Sequence, residues 1–199
     1  MNFFRSMFGP SHAEIWLQVA RDIGGQFQEG GFFGRDRVSY RHGAWTITLD
    51  TYCFSRATYT RMRAPFINKD GLAFRIKREG PIGQFFDIGQ TGLAVPLYNG
   101  NLIISGNNEA KIRLLLDDDR LRRLINSQHL SSFEILDNDP DDGWFSCDVP
   151  KGTNELHFEC IGVLKDEALL RNLFDMFSIT LERLVQIDSA YQNDPKVVL

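Results

Sequence analysis

Cysteine is scarce in this chain: Cys53, Cys147 and Cys160 are the only three, and no two have Cys-x-x-Cys spacing. That excludes a disulfide framework and a thiolate zinc site, and it predicts reduced, mostly buried thiols. No apolar run approaches the ~20 residues of a membrane span. The opening MNFFRSMFGPSHAE has neither the apolar h-region nor the cleavage site of a secretory signal, so a cytoplasmic location is expected. Basic residues are not in excess: 22 Lys and Arg face 26 Asp and Glu, for a net charge of −4. A general attraction to nucleic acid or anionic lipid is therefore absent.

The signatures of common catalysts are missing as well. His12, His42, His129 and His157 stand far apart, without HExxH or His-x-His spacing, so metal catalysis has no support. Ser55, Ser105 and Ser178 lack the G-x-S-x-G elbow, and the GGFFG cluster has no following Lys-Ser/Thr, which removes the α/β-hydrolase and P-loop readings. A Cys-His pair drawn from Cys53 or Cys160 with His157 depends on tertiary proximity. No catalytic residue and no cofactor is assigned, and no internal repeat is found.

What is present is material for one core. The 199 residues, 43% hydrophobic with 16 Phe, suit a single domain. Its expected span is residues 11–192, with residues 1–10 a flexible or docking segment and 193–199 a tail. Ser11-His12-Ala13-Glu14 has the form of a capping box, and Ile15, Trp16, Val19, Ala20, Ile23 and Phe27 then recur at helical spacing. From Val38 to Arg78 the period becomes that of strands, in RVSYR, AWTITLDTYCF, ATYTRMRAPF and LAFRIKR. His42-Gly43 and Asn68-Lys69-Asp70-Gly71 supply turn residues between them, so an antiparallel meander is predicted.

Between Gly80 and Asn101 only Phe85-Phe86 and Leu93 to Leu97 suggest short strands. Leu102 to Ile104 reads as a strand, Glu109 to Leu124 as one or two helical pieces, and Phe133 to Leu136 as a further strand. Trp144 to Val149 and Glu155 to Val163 follow as strands. A long helix from Asp166 to about Tyr191, with a broad apolar stripe, closes the domain. The fold class is α+β: an antiparallel sheet of five or more strands covered by an N-terminal helix and a long C-terminal helix.

The segments HGAWTITLDTY, TYTRMRAPFINKDG, GNNEAKIRLLLDDDRLRRLI and IDSAYQ, in this order, resemble an uncharacterised family of bacterial domains. The resemblance covers most of Arg41 to Gln192. It implies a bacterial origin and a mixed α and β fold, and it brings no activity, cofactor or catalytic residue.

Three candidate sites remain. Tyr59, Arg61 and Arg63 point one way along a strand, with Tyr40, Arg41 and Tyr52 as neighbours on the sheet. Aromatic stacking with guanidinium pairing would hold an anion or nucleotide, and the plainer reading pairs the arginines with Asp and Glu. Asp137, Asp139 and Asp141 crowd one loop in the manner of a hard-cation site. The EF-hand spacing fails there, because Asp142 and Asp148 stand where Gly and Glu are required. Phe3, Phe4 and Phe8 around Arg5 could touch a membrane surface or fold onto the domain or a partner. The leading expectation is a non-enzymatic interaction or regulatory module, with a protein or a second copy as partner and nucleic acid disfavoured. A small-ligand binder or enzyme using the Tyr59-Arg61-Arg63 face is the alternative.

Overall fold

Ser11 opens the first helix through its side chain and its backbone together. In the computed structural model, which describes residues 10–31, 34–78, 92–93, 102–137, 152–197 and 199, Ser11 Oγ accepts from Glu14 N at 3.2 Å. The Glu14 carboxylate in turn accepts from Ser11 N at 3.0 Å. This reciprocal cap starts α1 (His12–Ile23), and Gly24, left-handed at φ 72°, ends it. Phe27 continues the apolar period of that helix in sequence, yet it lies in β1 (Gln26–Gln28). The helix expectation fails there because Gly24 and Gly25 turn the chain before the period can be used.

The remaining elements are β2 (Arg37–His42), β3 (Trp45–Phe54), β4 (Ala57–Asn68), β5 (Phe74–Arg78), β6 (Gly92–Leu93), β7 (Leu102–Gly106), α2 (Glu109–Leu115), α3 (Asp119–Ser127), β8 (Ser132–Asp137), β9 (Thr153–Ile161), α4 (Glu167–Gln186) and β10 (Ala190–Tyr191). The sheet runs β1-β2-β3-β4-β9-β8-β5-β7-β6, with every pair antiparallel and β10 on β4. The α+β class is as expected, and the sheet is larger than the minimum of five strands. The predicted meander holds for β2-β3-β4 and breaks at β5. β9 occupies the free edge of β4, so β5 pairs with β8 and β7 instead.

β10 joins Ile67 and Asn68 of β4 beyond the last β3 pair, Thr48 with Arg63. Pro65 lies between the two pairings and has no N–H to offer a ladder. α4 stops at Gln186 rather than near Tyr191: Asp188 takes φ 59°, and Ser189 N closes onto Leu184 O at 2.8 Å. The turn is held from outside by Asp70, whose carboxylate accepts from Lys111 Nζ and Ser189 Oγ. The predicted strand from Trp144 to Val149, the Phe85-Phe86 pair and the Phe3, Phe4 and Phe8 contact lie outside the described residues.

One face of the sheet is the core. Val38, Leu49, Met62, Phe158, Phe133, Ile76 and Ile104 are successive register partners across seven strands, and all are buried. α1 and α4 close over this row with Trp16, Val19, Leu173, Phe174, Phe177 and Leu181 in the same apolar cluster. Phe177 meets Phe133 at 5.7 Å between ring centroids, and Trp16 Nε1 donates to Leu164 O at 2.9 Å. Burying each large side chain of this kind contributes roughly 1.5–3 kcal/mol.

The β3–β4 hairpin turns on Ser55 and Arg56, both at positive φ, 47° and 70°. A two-residue turn of that hand prefers Asn-Gly, because an L side chain costs about 1–2 kcal/mol in the left-handed region. Ser55→Asn with Arg56→Gly should therefore raise stability by about 1–2 kcal/mol, read as a higher midpoint in urea. An unchanged or lower midpoint would refute the turn assignment.

Candidate functional site

The period of two along β9 sends Glu155, His157 and Glu159 to the face opposite Leu156, Phe158 and Cys160. Register carries the same division across the sheet. Thr48, Arg63, His157, Glu134, Arg75 and Ser105 form one row through β3, β4, β9, β8, β5 and β7. Asp50, Arg61, Glu159 and Ser132 form the next. The buried apolar residues of the four described helices belong to the core cluster.

Asp50 is the anchor of this face. Arg61 approaches it with a fork, Nε to Oδ1 at 2.8 Å and Nη2 to Oδ2 at 2.9 Å, and Arg63 Nη2 reaches Oδ2 at 2.8 Å. Asp50 is only 3% exposed. Burial works against its charge, but the two guanidiniums outweigh burial and hold the carboxyl below its ordinary value. Tyr52 and Tyr59 stack at 5.1 Å with planes 18° apart, and the Arg61 guanidinium lies 5.0 Å from the Tyr52 ring centroid.

The second centre is His157, 9% exposed. Its Nδ1 meets Glu155 Oε1 at 3.0 Å, and its Nε2 faces Glu159 Oε2 at 3.9 Å. Burial disfavours the imidazolium, yet the carboxylates of Glu155, Glu159 and Glu134 prevail and raise the pKa above the ordinary histidine value. Glu159 is held low by His157 against the cost of burial, with help from the Tyr52 hydroxyl, which donates to it at 2.6 Å. Tyr52 is pushed upward by burial and by that same carboxylate. Arg63 Nη1 lies 3.9 Å from Glu155, and Arg75 pairs with Glu134. The result is a continuous lattice in which Arg63 Nε is buried without a partner among the described residues.

The sequence candidates are sorted by this geometry. Tyr59, Arg61 and Arg63 do share the face, and Tyr52 joins them. Tyr40 does not: it belongs to the core side and meets Phe174 edge-on at 5.9 Å. Arg41 pairs with Asp194 at 2.9 Å, away from the lattice. Cys160 and His157 occupy opposite faces of β9, so they cannot form a nucleophile-base pair, and burial pushes the Cys160 thiol up to about 11. Cys53 is an exposed free thiol with the same parity as Cys160 across the sheet, beyond the end of the core. Of the acidic loop, Asp137 is described and accepts from Asn154 Nδ2 at 3.4 Å, while Asp139 and Asp141 lie outside the described residues.

The carboxylates about His157 were missed in the sequence because Glu134, Glu155 and Glu159 belong to two strands. The signal was nevertheless there in Glu155-Leu-His-Phe-Glu159, where titratable and apolar residues alternate. These groups do not converge on a metal ion: Glu155 and Glu159 serve opposite ring nitrogens, and no cluster of three or more suitable ligands exists among the described residues.

No protein-family model matches this chain, and no curated protein or solved structure does either. No described helix is long and apolar enough to cross a membrane.

Removing Asp50 would strand two buried guanidiniums. Asp50→Asn is expected to cost about 3–5 kcal/mol, the range for breaking a buried ion pair on one side, measured by urea denaturation at neutral pH. Because the Asp50 pKa is lowered by folding, its stabilisation is full above the ordinary Asp value near ~3.9 and lost as pH falls through the folded value. The difference between wild type and Asp50→Asn should accordingly shrink in acid.

Proposed function

We propose that this chain is a non-enzymatic interaction or regulatory module of the bacterial cytoplasm, with the polar face of the sheet as its working surface and a protein as its partner. The observation that carries this reading is the internal engagement of that face. Arg61 and Arg63 are turned to Asp50, His157 to Glu155 and Glu159, Tyr52 to Glu159, and Arg75 to Glu134. A general base must be free to take a proton, and an anion-binding arginine must have N–H groups to offer. Here Arg61, Arg63 and His157 are directed at carboxylates of the same face, with the buried Arg63 Nε left over, which suits a surface of paired charges better than a site for an anion.

The accessible part of the face is its rim. Ile161 is 74% exposed and stands beside Tyr59 in register, next to the Tyr52 stack. Aromatic and apolar side chains at such an edge supply contact area at low entropic cost. Bacterial-extract capture on the immobilised chain, with proteins and small molecules both scored by mass spectrometry, tests the proposal. The expected result is one or more proteins retained by the wild type and lost with Tyr59→Ala plus Ile161→Asp. Retention of a metabolite alone, or of the same proteins by the variant, would overturn it.

A further inference from the structure

We propose that His157 is a proton-operated latch: protonated, it holds the Glu155 and Glu159 carboxylates on either side of it along β9 and offsets their charge, and deprotonated, it makes the polar face more negative by one charge. The proposal deepens the reading of this face as the contact surface and rests on it, since the latch would set the charge that lies behind the rim a partner meets.

The geometry of the ring is the starting point. A neutral imidazole carries one N–H and one lone pair, whereas the imidazolium carries two N–H groups. His157 has a carboxylate on each side, Glu155 at Nδ1 and Glu159 at Nε2. A neutral ring would aim a lone pair at one of them. Only the doubly protonated ring is attracted to both.

The surroundings support the same state. From β9 itself come Glu155 and Glu159. β8 contributes Glu134, the register partner of His157, and β4 contributes Arg63 on the opposite side, with Arg61 beside Glu159. β3 adds Asp50 and Tyr52, which hold Arg61 and Glu159, and β5 adds Arg75 on Glu134. Among these described residues, the four carboxylates Asp50, Glu134, Glu155 and Glu159 face the three guanidiniums Arg61, Arg63 and Arg75. The imidazolium is a fourth cation of this set, and Arg37 is a further one on the same face, beside Asp50 in register. Loss of the imidazolium proton makes the set more negative by one charge.

The direction of the pH effect follows. Folding raises the His157 pKa, so its contribution is full below the unfolded value near ~6.5 and is lost as pH rises through the folded value. Each unit between the two values corresponds to about a tenfold change in the folding equilibrium. The carboxylates left facing an uncharged ring are Glu155 and Glu159 of β9 and, beside it in register, Glu134 of β8.

The test requires no partner, so its outcome is independent of the capture experiment. The His157 ring signals, followed by NMR between pH 5 and pH 10, are expected to titrate with a midpoint above ~6.5; a midpoint at or below that value overturns the latch. Amide hydrogen exchange in Ser132–Asp137 and Thr153–Ile161, corrected for its intrinsic pH dependence, should accelerate across the same midpoint. In His157→Gln that acceleration should be gone, and its persistence would overturn the assignment. Glu155→Gln provides a second route should His157→Gln fail to fold: loss of the 3.0 Å carboxylate partner should move the histidine midpoint down, and an unmoved midpoint counts against the latch.

Discussion

β4 and β9 pair over nine successive residues, from Tyr59 with Ile161 to Ile67 with Thr153, and both faces of the molecule depend on that register. Side chains alternate, so a slip of one residue in either strand would exchange its two sets. Met62 and Phe158 would leave the core, and Arg63 and His157 would enter it. An unpaired charge in an apolar interior costs several kcal/mol, which makes the slipped pairing unfavourable for β4 and β9 alike. The charges also weigh against a slip of two in one direction. In the observed alignment Asp50 meets both Arg61 and Arg63, and a shift that set Tyr59 opposite it would take Arg63 out of reach. Apolar partners alone would tolerate a shift by one pleat far better.

The strand order has a kinetic and an energetic side. β2, β3 and β4 form from neighbouring sequence by short turns, whereas the far half of the sheet waits for β9, which arrives almost ninety residues after β4 by the register. Long-range pairing of this kind makes folding slower than a local meander would be. Once β9 is placed, both halves share the core row, and α1 and α4 can close over it. The ion pair from Arg171 to Asp22 joins the first and last helices, and the hydrogen bond from Trp16 to Leu164 ties the first to the segment just before the last. Neither end of the described chain is then independent of the other.

Local chemistry was legible in the sequence, and long-range geometry was not. The capping box at Ser11 and the alternation in β3 and β4 act within a few residues, so pattern alone placed them. Two errors came from apolar residues that fit a helical period after the helix had ended. Phe27 follows Gly24 and Gly25, whose turn outweighs its periodicity. Ile187 precedes Asp188, which adopts the left-handed conformation without being glycine, so the usual terminating signal was absent. The displaced β5 had no local sign either, because what excludes it from β4 is β9. Of the candidate site, Tyr59, Arg61 and Arg63 were read from one strand's parity. Asp50, Glu134 and His157 needed the register before they could be seen as neighbours.

The lattice is better understood as a marker of face and charge than as a source of stability. Well-packed apolar residues in place of a buried ionic network often give equal or greater stability. Such a replacement here would make both faces of the sheet apolar, weaken the register and expose a patch prone to association. The ionic solution keeps the faces different, but it ties folding to an exact charge count. Asp50 is secured by two permanently charged guanidiniums, so that half of the lattice is insensitive to pH near neutrality. The half around His157 rests on an imidazolium whose pKa folding raises above the ordinary histidine value, so its charge is lost only as pH rises through that raised value. The same sheet thus joins a fixed region at β3–β4 to a titratable one at β8–β9, with Arg63 lying between Asp50 and Glu155 and in contact with both.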